Sequence, residues 1–215
     1  MMKRTRSNRS VGVMLIAALL LTSGLPALGK DKGTASKGGS AAGVSVENFG
    51  QVNEHLYRGG QPNGSQFQEL AALGIKTIVD LRGDAERSVR ADAERAGLRY
   101  VNLPLAPKSY PQPEVAARFL EIVSDQNNWP VYVHCAGGRH RTGAMVAVYR
   151  MSVDHWSIER AYDEMKQYDF YTSWGHACYK DYVFDYARSQ ARLASGQTGP
   201  TPASSNAATR TARKG

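Results

Sequence analysis

The chain has 215 residues, with 27 Lys and Arg against 19 Asp and Glu, a formal net charge of +8, and two cysteines 43 positions apart. The excess charge lies at the ends: residues 1–10 hold four basic residues, 30–43 three and 191–215 four, whereas residues 44–190 hold 16 basic and 18 acidic ones. With a near-neutral centre the net charge gives no argument for nucleic-acid binding, and two cysteines are too few for a disulfide framework.

Residues 1–10 carry Lys3, Arg4, Arg6 and Arg9 with no acid, residues 11–21 are almost wholly apolar, and Ala27-Leu28-Gly29 puts small residues where a signal peptidase reads them. That is the order of a secretory leader over residues 1–29, and it implies a periplasmic or secreted protein. The apolar run of eleven residues falls short of the roughly 20 that span a hydrocarbon core, so no stable membrane span is expected once the leader is removed. An uncleaved membrane anchor or a buried helix is the competing reading. Residues 30–43 and 191–215 are rich in Gly, Ser, Ala, Thr and Pro. They lack the apolar side chains that would offset the entropy of ordering them, and read as a flexible linker and a disordered tail. One compact domain is left, over 44–190, long enough for a hydrophobic core.

Within it, residues 56–58 read as a short strand and 59–64 (GGQPNG) as a turn cluster. Phe67, Leu70, Ala71 and Leu73 mark a helix that stops at Gly74. Residues 75–81 (IKTIVDL) form a compact apolar strand, and Asp84 is placed to cap a helix running to Ala96. Residues 98–103 (LRYVNL) are another strand, and 104–113 a proline-punctuated loop that cannot continue a sheet. A helix over 114–124 precedes the buried strand 130–133 (PVYV), which delivers His134 and Cys135 to its carboxyl end. Helices follow over about 142–151, 156–166 and 177–188. The aromatic-rich stretch between 162 and 186 reads as core, and Cys178 within it as a core thiol. Strand alternating with helix implies an α/β fold with parallel pairing, and ligands in such sheets bind beyond the carboxyl ends of the strands.

The segment that carries chemistry is Val133-His134-Cys135-Ala136-Gly137-Gly138-Arg139-His140-Arg141-Thr142-Gly143. Small residues at Ala136, Gly137 and Gly138 let the backbone curl so that successive N–H groups face one centre and cradle anionic oxygens. The helix opening at Thr142 adds the positive end of its dipole at the same point. Such a cup favours the thiolate of Cys135, which can attack phosphorus and form a thiophosphoryl intermediate. Arg141 offers a planar two-donor fork to the equatorial oxygens. The Thr142 hydroxyl is placed to assist the sulfur as leaving group, and His134 to orient the loop. Arg139 and His140 complete the phosphate-binding set. The chemistry calls for no metal or cofactor; a nucleotide P-loop is excluded by the missing G-K-[ST], and the five histidines lack zinc-site spacing.

At these residues the sequence resembles the cysteine-dependent protein tyrosine and dual-specificity phosphatases, and within them exported bacterial members related to the atypical plant and fungal enzymes. The matching pieces are LYRGGQP (56–62), LGIKTIVDLR (73–82), GLRYVNLPL (97–105), VYVHCAGGRHRTGAMVAVYRM (131–151) and WSIERAYDEM (156–165). The resemblance implies a four- or five-stranded, mostly parallel sheet flanked by helices, with Cys135 as nucleophile, Arg141 as phosphate clamp and Thr142 as the hydroxyl that assists hydrolysis. It also implies an acid in a loop about 30 residues before the cysteine, and here the chain departs: residues 104–113 contain no Asp or Glu. Glu114 and Asp84 are the candidates for that role, beside the reading that no side chain fills it. Lys108 is either a contact to a second phosphate or a solvated lysine. Asp80 and Arg82 form either a buried ion pair or a layer reaching the ligand.

The leading reading is an exported phosphatase acting on phosphotyrosine or dual-specificity phosphate monoesters. The missing acid favours, as an alternative, small polyphosphorylated or phosphoanhydride ligands such as inositol pyrophosphate-like molecules. A phosphate-binding module without turnover is a third reading. The expected partner is thus a phosphorylated protein or a small phosphorylated ligand, with no nucleic acid.

Overall fold

The computed structural model describes residues 43–83 and 87–197. The leader, most of the linker, Asp84 and the last eighteen residues lie outside the described residues. Five strands, β1 (Gly50–Gln51), β2 (Leu56–Gly59), β3 (Thr77–Arg82), β4 (Arg99–Leu105) and β5 (Val131–His134), form one sheet in the order β1-β2-β5-β3-β4. All neighbours pair in parallel except β1, which is antiparallel to β2. The fold is α/β with a mostly parallel sheet flanked by helices, as the strand–helix alternation implies. β1 is the addition: two residues are too few to leave a period in the sequence.

The helices are α1 (Gln66–Ala72), α2 (Arg87–Arg95), α3 (Pro113–Ser124), α4 (Arg141–Ser152), α5 (Ile158–Gln167) and α6 (Ala177–Ala194). The last runs further than residue 188, because Ser189 to Ala194 (SQARLA) holds residues that tolerate a helix and no proline. Alternate positions of the strands feed two cores. Val79, Leu81, Val131 and Val133 point to the side covered by α3 to α6, while Ile78, Tyr100 and Tyr132 point to the side covered by α1 and α2. Burial on both faces is what makes the central strands continuous apolar runs.

β5 lies between β2 and β3, so the segment after it emerges at the middle of the carboxyl edge of the sheet. α4 returns from that edge, and every residue from Thr142 to Arg150 is buried. A helix apolar nearly all round must sit inside the molecule, and α4 packs on β2, β5, α3, α5 and α6. Its one buried charge, Arg150, donates to both Glu164 carboxylate oxygens on α5 at 2.7–3.2 Å and to Asp154 at 2.7 Å. α5 is capped by Ser157, whose hydroxyl accepts from the Arg160 N–H at 3.3 Å.

Removing one partner of a buried pair strands the other in a medium that cannot solvate it. Glu164→Ala is therefore expected to destabilise the protein by about 3 kcal/mol in urea titrations, whereas the exposed pair Arg118–Glu121 contributes under about 1 kcal/mol on truncation.

Candidate active site

The turn after β5 is held from outside through its main-chain carbonyls. The backbone N–H of Gln61 donates to the Ala136 carbonyl at 3.0 Å, Asn48 Nδ2 to the Gly137 carbonyl at 3.3 Å, and Arg58 Nη2 to the Gly138 carbonyl at 2.9 Å. In a trans peptide the N–H points opposite to the C=O. Drawing three consecutive carbonyls outward thus turns the N–H groups of Gly137, Gly138 and Arg139 toward the concave side. Gly138 has φ +66°, and a Cβ there would lie 2.5 Å from the Gly59 carbonyl carbon and 2.7 Å from the Gly60 nitrogen. Two strands of backbone meet here with no room for a side chain.

Cys135 is buried at the end of β5 and Arg141 is half-buried at the start of α4. The Arg141 guanidinium reaches across to the ends of β3 and β4, with Nη1 3.5 Å from the Leu81 carbonyl and 3.4 Å from that of Leu105. Thr142 is fully buried, and its hydroxyl has no partner among the described residues. The assembly is a concave, donor-lined site at the amino end of α4, a shape that can hold a tetrahedral oxyanion.

His134 and Asp80 lie beneath it, both with no exposed surface. His134 Nδ1 is 3.3 Å from the Cys135 carbonyl oxygen and 3.9 Å from Asp80 Oδ1. Burial drives the imidazole down to about 4 against the opposing pull of Asp80, so the ring is neutral. Of the two readings of Asp80 and Arg82, the geometry shows the ion pair: Arg82 Nε and Nη2 donate to the Asp80 carboxylate at 2.8–3.2 Å, and Tyr100 donates to it at 2.6 Å. Burial works to raise the Asp80 carboxyl, and these hydrogen bonds with the nearby His134 outweigh it and hold it below the usual range. The remaining Arg82 nitrogen, Nη1, donates to Gln61 Oε1 at 2.6 Å, which fixes the residue whose N–H holds Ala136.

The side chains of Arg139 and His140 have different partners. Arg139 pairs with Glu47 at 2.6 Å on the rim. The His140 ring stacks on His176 with centroids 3.6 Å apart, edged by Tyr171 and Phe170. Burial and the His176 ring lower it to about 4, so His140 brings a neutral ring and not a second cation. The aromatic stretch read as core therefore also forms one wall of the site. Lys108 is exposed at φ +54°, its stem against Gly175. Its N–H donates to the Tyr179 hydroxyl at 3.1 Å, and that hydroxyl donates to the Ala106 carbonyl at 3.3 Å. Glu114 is exposed in the first turn of α3. Asp84, the other candidate acid, lies outside the described residues. The residue that sequence reading passed over is Arg58: it sits in the LYRGGQP piece, taken there as strand, and only its place between apolar neighbours hinted that its charge is buried. Among the described residues no group of three or more His, Cys, Asp or Glu is placed to hold a metal ion, and no helix is long and apolar enough to cross a membrane.

A parallel sheet that ends in a cysteine, a loop of pinned carbonyls and an arginine at the following helix defines the class of cysteine-dependent phosphatases, enzymes that hydrolyse phosphate esters. Residues 42–198 match the family model described as DSP-PTPase phosphatase fused to NAD+ kinase, and the chain belongs to that family. It is 28% identical over 145 residues to inositol diphosphatase DSP4 of Arabidopsis thaliana, covering 61% of this chain and 69% of the plant protein. It is 31% identical over 123 residues to the dual specificity protein phosphatase TpbA of Pseudomonas aeruginosa, covering 57% of this chain and 55% of TpbA. The structure of a TpbA variant in complex with phosphotyrosine superposes with a TM-score of 0.56 at 26% identity, over 67% of this chain and 90% of the other. The catalytic core of the PP-IP phosphatase SIW14 from S. cerevisiae shares the fold, with a TM-score of 0.56 at 24% identity over 69% and 95% of the two chains.

Two outcomes follow. Gly138→Ala forces backbone apart at the cup and is expected to lower kcat/KM by 100-fold or more (about 3 kcal/mol or more), with a melting temperature reduced by several degrees. His134 and His140 are both lowered relative to the unfolded chain, which therefore binds more protons between pH about 6.5 and about 4. Stability is expected to be flat above pH 6.5 and to fall as pH drops through that window, by on the order of 2–3 kcal/mol from His134, as followed by melting at a series of pH values.

Proposed function

We propose that the protein is an exported cysteine-dependent phosphatase whose substrates carry good leaving groups, the phosphoanhydrides of small polyphosphorylated ligands such as inositol pyrophosphate-like molecules. The observation that carries this reading is the loop over the site. Residues 104–113 offer no carboxylate, and neighbouring acids are engaged elsewhere: Asp80 with Arg82 and Tyr100, Glu47 with Arg139, and Asp185 with Tyr110 and Arg188. A proton donor is typically worth 10²- to 10⁴-fold, and an alkoxide leaving group needs it. A phosphate leaving an anhydride does not. The name of the Arabidopsis relative supports the same substrate class, and Lys108, exposed beside Gly175 and His176, gives the rim a cation for a second phosphate. The export rests on the leader pattern of residues 1–29.

In this reading the Cys135 thiolate attacks phosphorus as the bond to the leaving oxygen breaks, and the freed phosphate departs as a stable anion. The loop N–H groups and the Arg141 fork hold the three equatorial oxygens, where charge is shared in the transition state. Water then breaks the sulfur–phosphorus bond, giving orthophosphate and the thiolate, with the buried Thr142 hydroxyl donating toward the departing sulfur. His134, neutral and tied to the Cys135 carbonyl, orients the nucleophile, with Asp80 and Arg82 behind it.

Phosphotyrosine hydrolysis is the second reading. The TpbA complex with phosphotyrosine favours it, as do Tyr171 and Trp174, aromatic side chains exposed on the segment that walls the site. Leaving-group dependence separates the two. With aryl phosphates of graded acidity, turnover is expected to rise steeply with leaving-group acidity and equally so in Glu114→Gln. An inositol pyrophosphate is expected to be hydrolysed about 10-fold or more faster than a phosphotyrosine peptide, and Cys135→Ser to abolish both. A flat dependence that steepens in Glu114→Gln would make Glu114 the acid and sink the anhydride reading in favour of phosphotyrosine.

A further inference from the structure

We infer that Arg58 is a positioning residue of the anion loop, bracing the Gly138 carbonyl and setting a buried positive charge behind Cys135 and the oxyanion site. The inference rests on the reading of Cys135 as nucleophile. Arg58 lies on β2, in register with Val133 of β5, two residues before the cysteine. Its side chain has no exposed surface. Nη2 donates to the Gly138 carbonyl at 2.9 Å and lies 3.9 Å from where a Cβ on Gly143, in the first turn of α4, would sit. The guanidinium carbon sits 3.7 Å from the centre of the Tyr168 ring. Nε and Nη1 have no hydrogen-bond partner among the described residues.

As mere packing this is an expensive choice. A buried guanidinium with two unpartnered nitrogens forfeits hydration, and the amino end of α4, itself positive, repels it. The charged and titratable groups that face it are Glu164, Tyr168, Arg150, Tyr132 and Cys135. Tyr168 stabilises the cation through its ring face. The Glu164 carboxylate gives its hydrogen bonds to Arg150 and so supplies Arg58 with field but no contact. Burial lowers Arg58 from its ordinary value, while the charges of Glu164, Tyr168 and Cys135 raise it. An anion in the cup, the thiolate or a bound phosphoryl group, is the remaining compensation. An arginine can meet it here because its planar fork holds the loop carbonyl while its charge acts through space.

In a Cys178→Ser background Cys135 is the one thiol left in the chain, so the pH profile of alkylation by iodoacetamide reports its thiolate without requiring turnover. Arg58→Met is expected to move the midpoint of that profile up by about one pH unit and to lower kcat/KM by about 10-fold or more. Arg58→Lys keeps the charge but not the fork; its midpoint is expected to stay near the parent's while kcat falls. An unshifted midpoint in Arg58→Met that circular dichroism shows to be folded overturns the inference. Should that variant not fold, Arg58→Gln, which keeps a donor for Gly138 without charge, must show the same upward shift or the inference fails. A parent protein that alkylates with these shifts yet turns over no phosphate would refute the proposed function and leave the role of Arg58 standing.

Discussion

Everything in the site depends on one close approach of backbone to backbone, Gly138 against Gly59 and Gly60. That contact sets the curvature of the loop after β5. Around it are arranged the donors that draw the loop's carbonyls outward: the Gln61 N–H, Asn48 and Arg58. None of the three belongs to the loop. The cup is thus a joint product of β2, the turn that follows it and the segment before β1, and the preference of the loop for its shape is enforced by its neighbours.

Electrostatically the site is built in layers of opposite sign. Immediately below the cup lies a neutral histidine, then the Asp80 carboxylate, then the Arg82 guanidinium that returns to Gln61 at the rim. On the other side Arg58, Glu164 and Arg150 alternate in charge through the core between β2, α4 and α5. Fully hydrogen-bonded parts of such networks fix geometry. The part with unmet donors, Arg58, is where the interior carries polarity that packing alone does not require.

Much of the architecture was legible because its signals are strong locally. The apolar run before Cys135, the small residues after it and the helix opened by Arg141-Thr142-Gly143 each point to the same strand–loop–helix unit, and agreement across levels is what makes a sequence readable. Less legible was whatever depends on distant neighbours. β1 is too short for periodicity and exists because β2 offers an edge. The neutrality of His140 arises from its burial and, after that, from a ring 36 residues away, His176. The pairing of Asp80 with Arg82 is reinforced by Tyr100 and Gln61, which come from other parts of the chain. Arg58 was hidden because a charged residue in a short strand reads as an edge facing water, and here the strand is covered on that side by Tyr168.

The Tyr179 hydroxyl accepts from the Lys108 N–H and donates to the Ala106 carbonyl, so residues 106–108 are moored to α6 through main-chain atoms, and beyond them the side chain of Tyr110 ties to Asp185. The side chains at 106–109 are all exposed and owe nothing to that mooring. The route of the loop and its chemical content are thereby separable. A lineage could gain or discard a proton donor at these positions, and with it retune which leaving groups are accepted, while the framework beneath stays untouched.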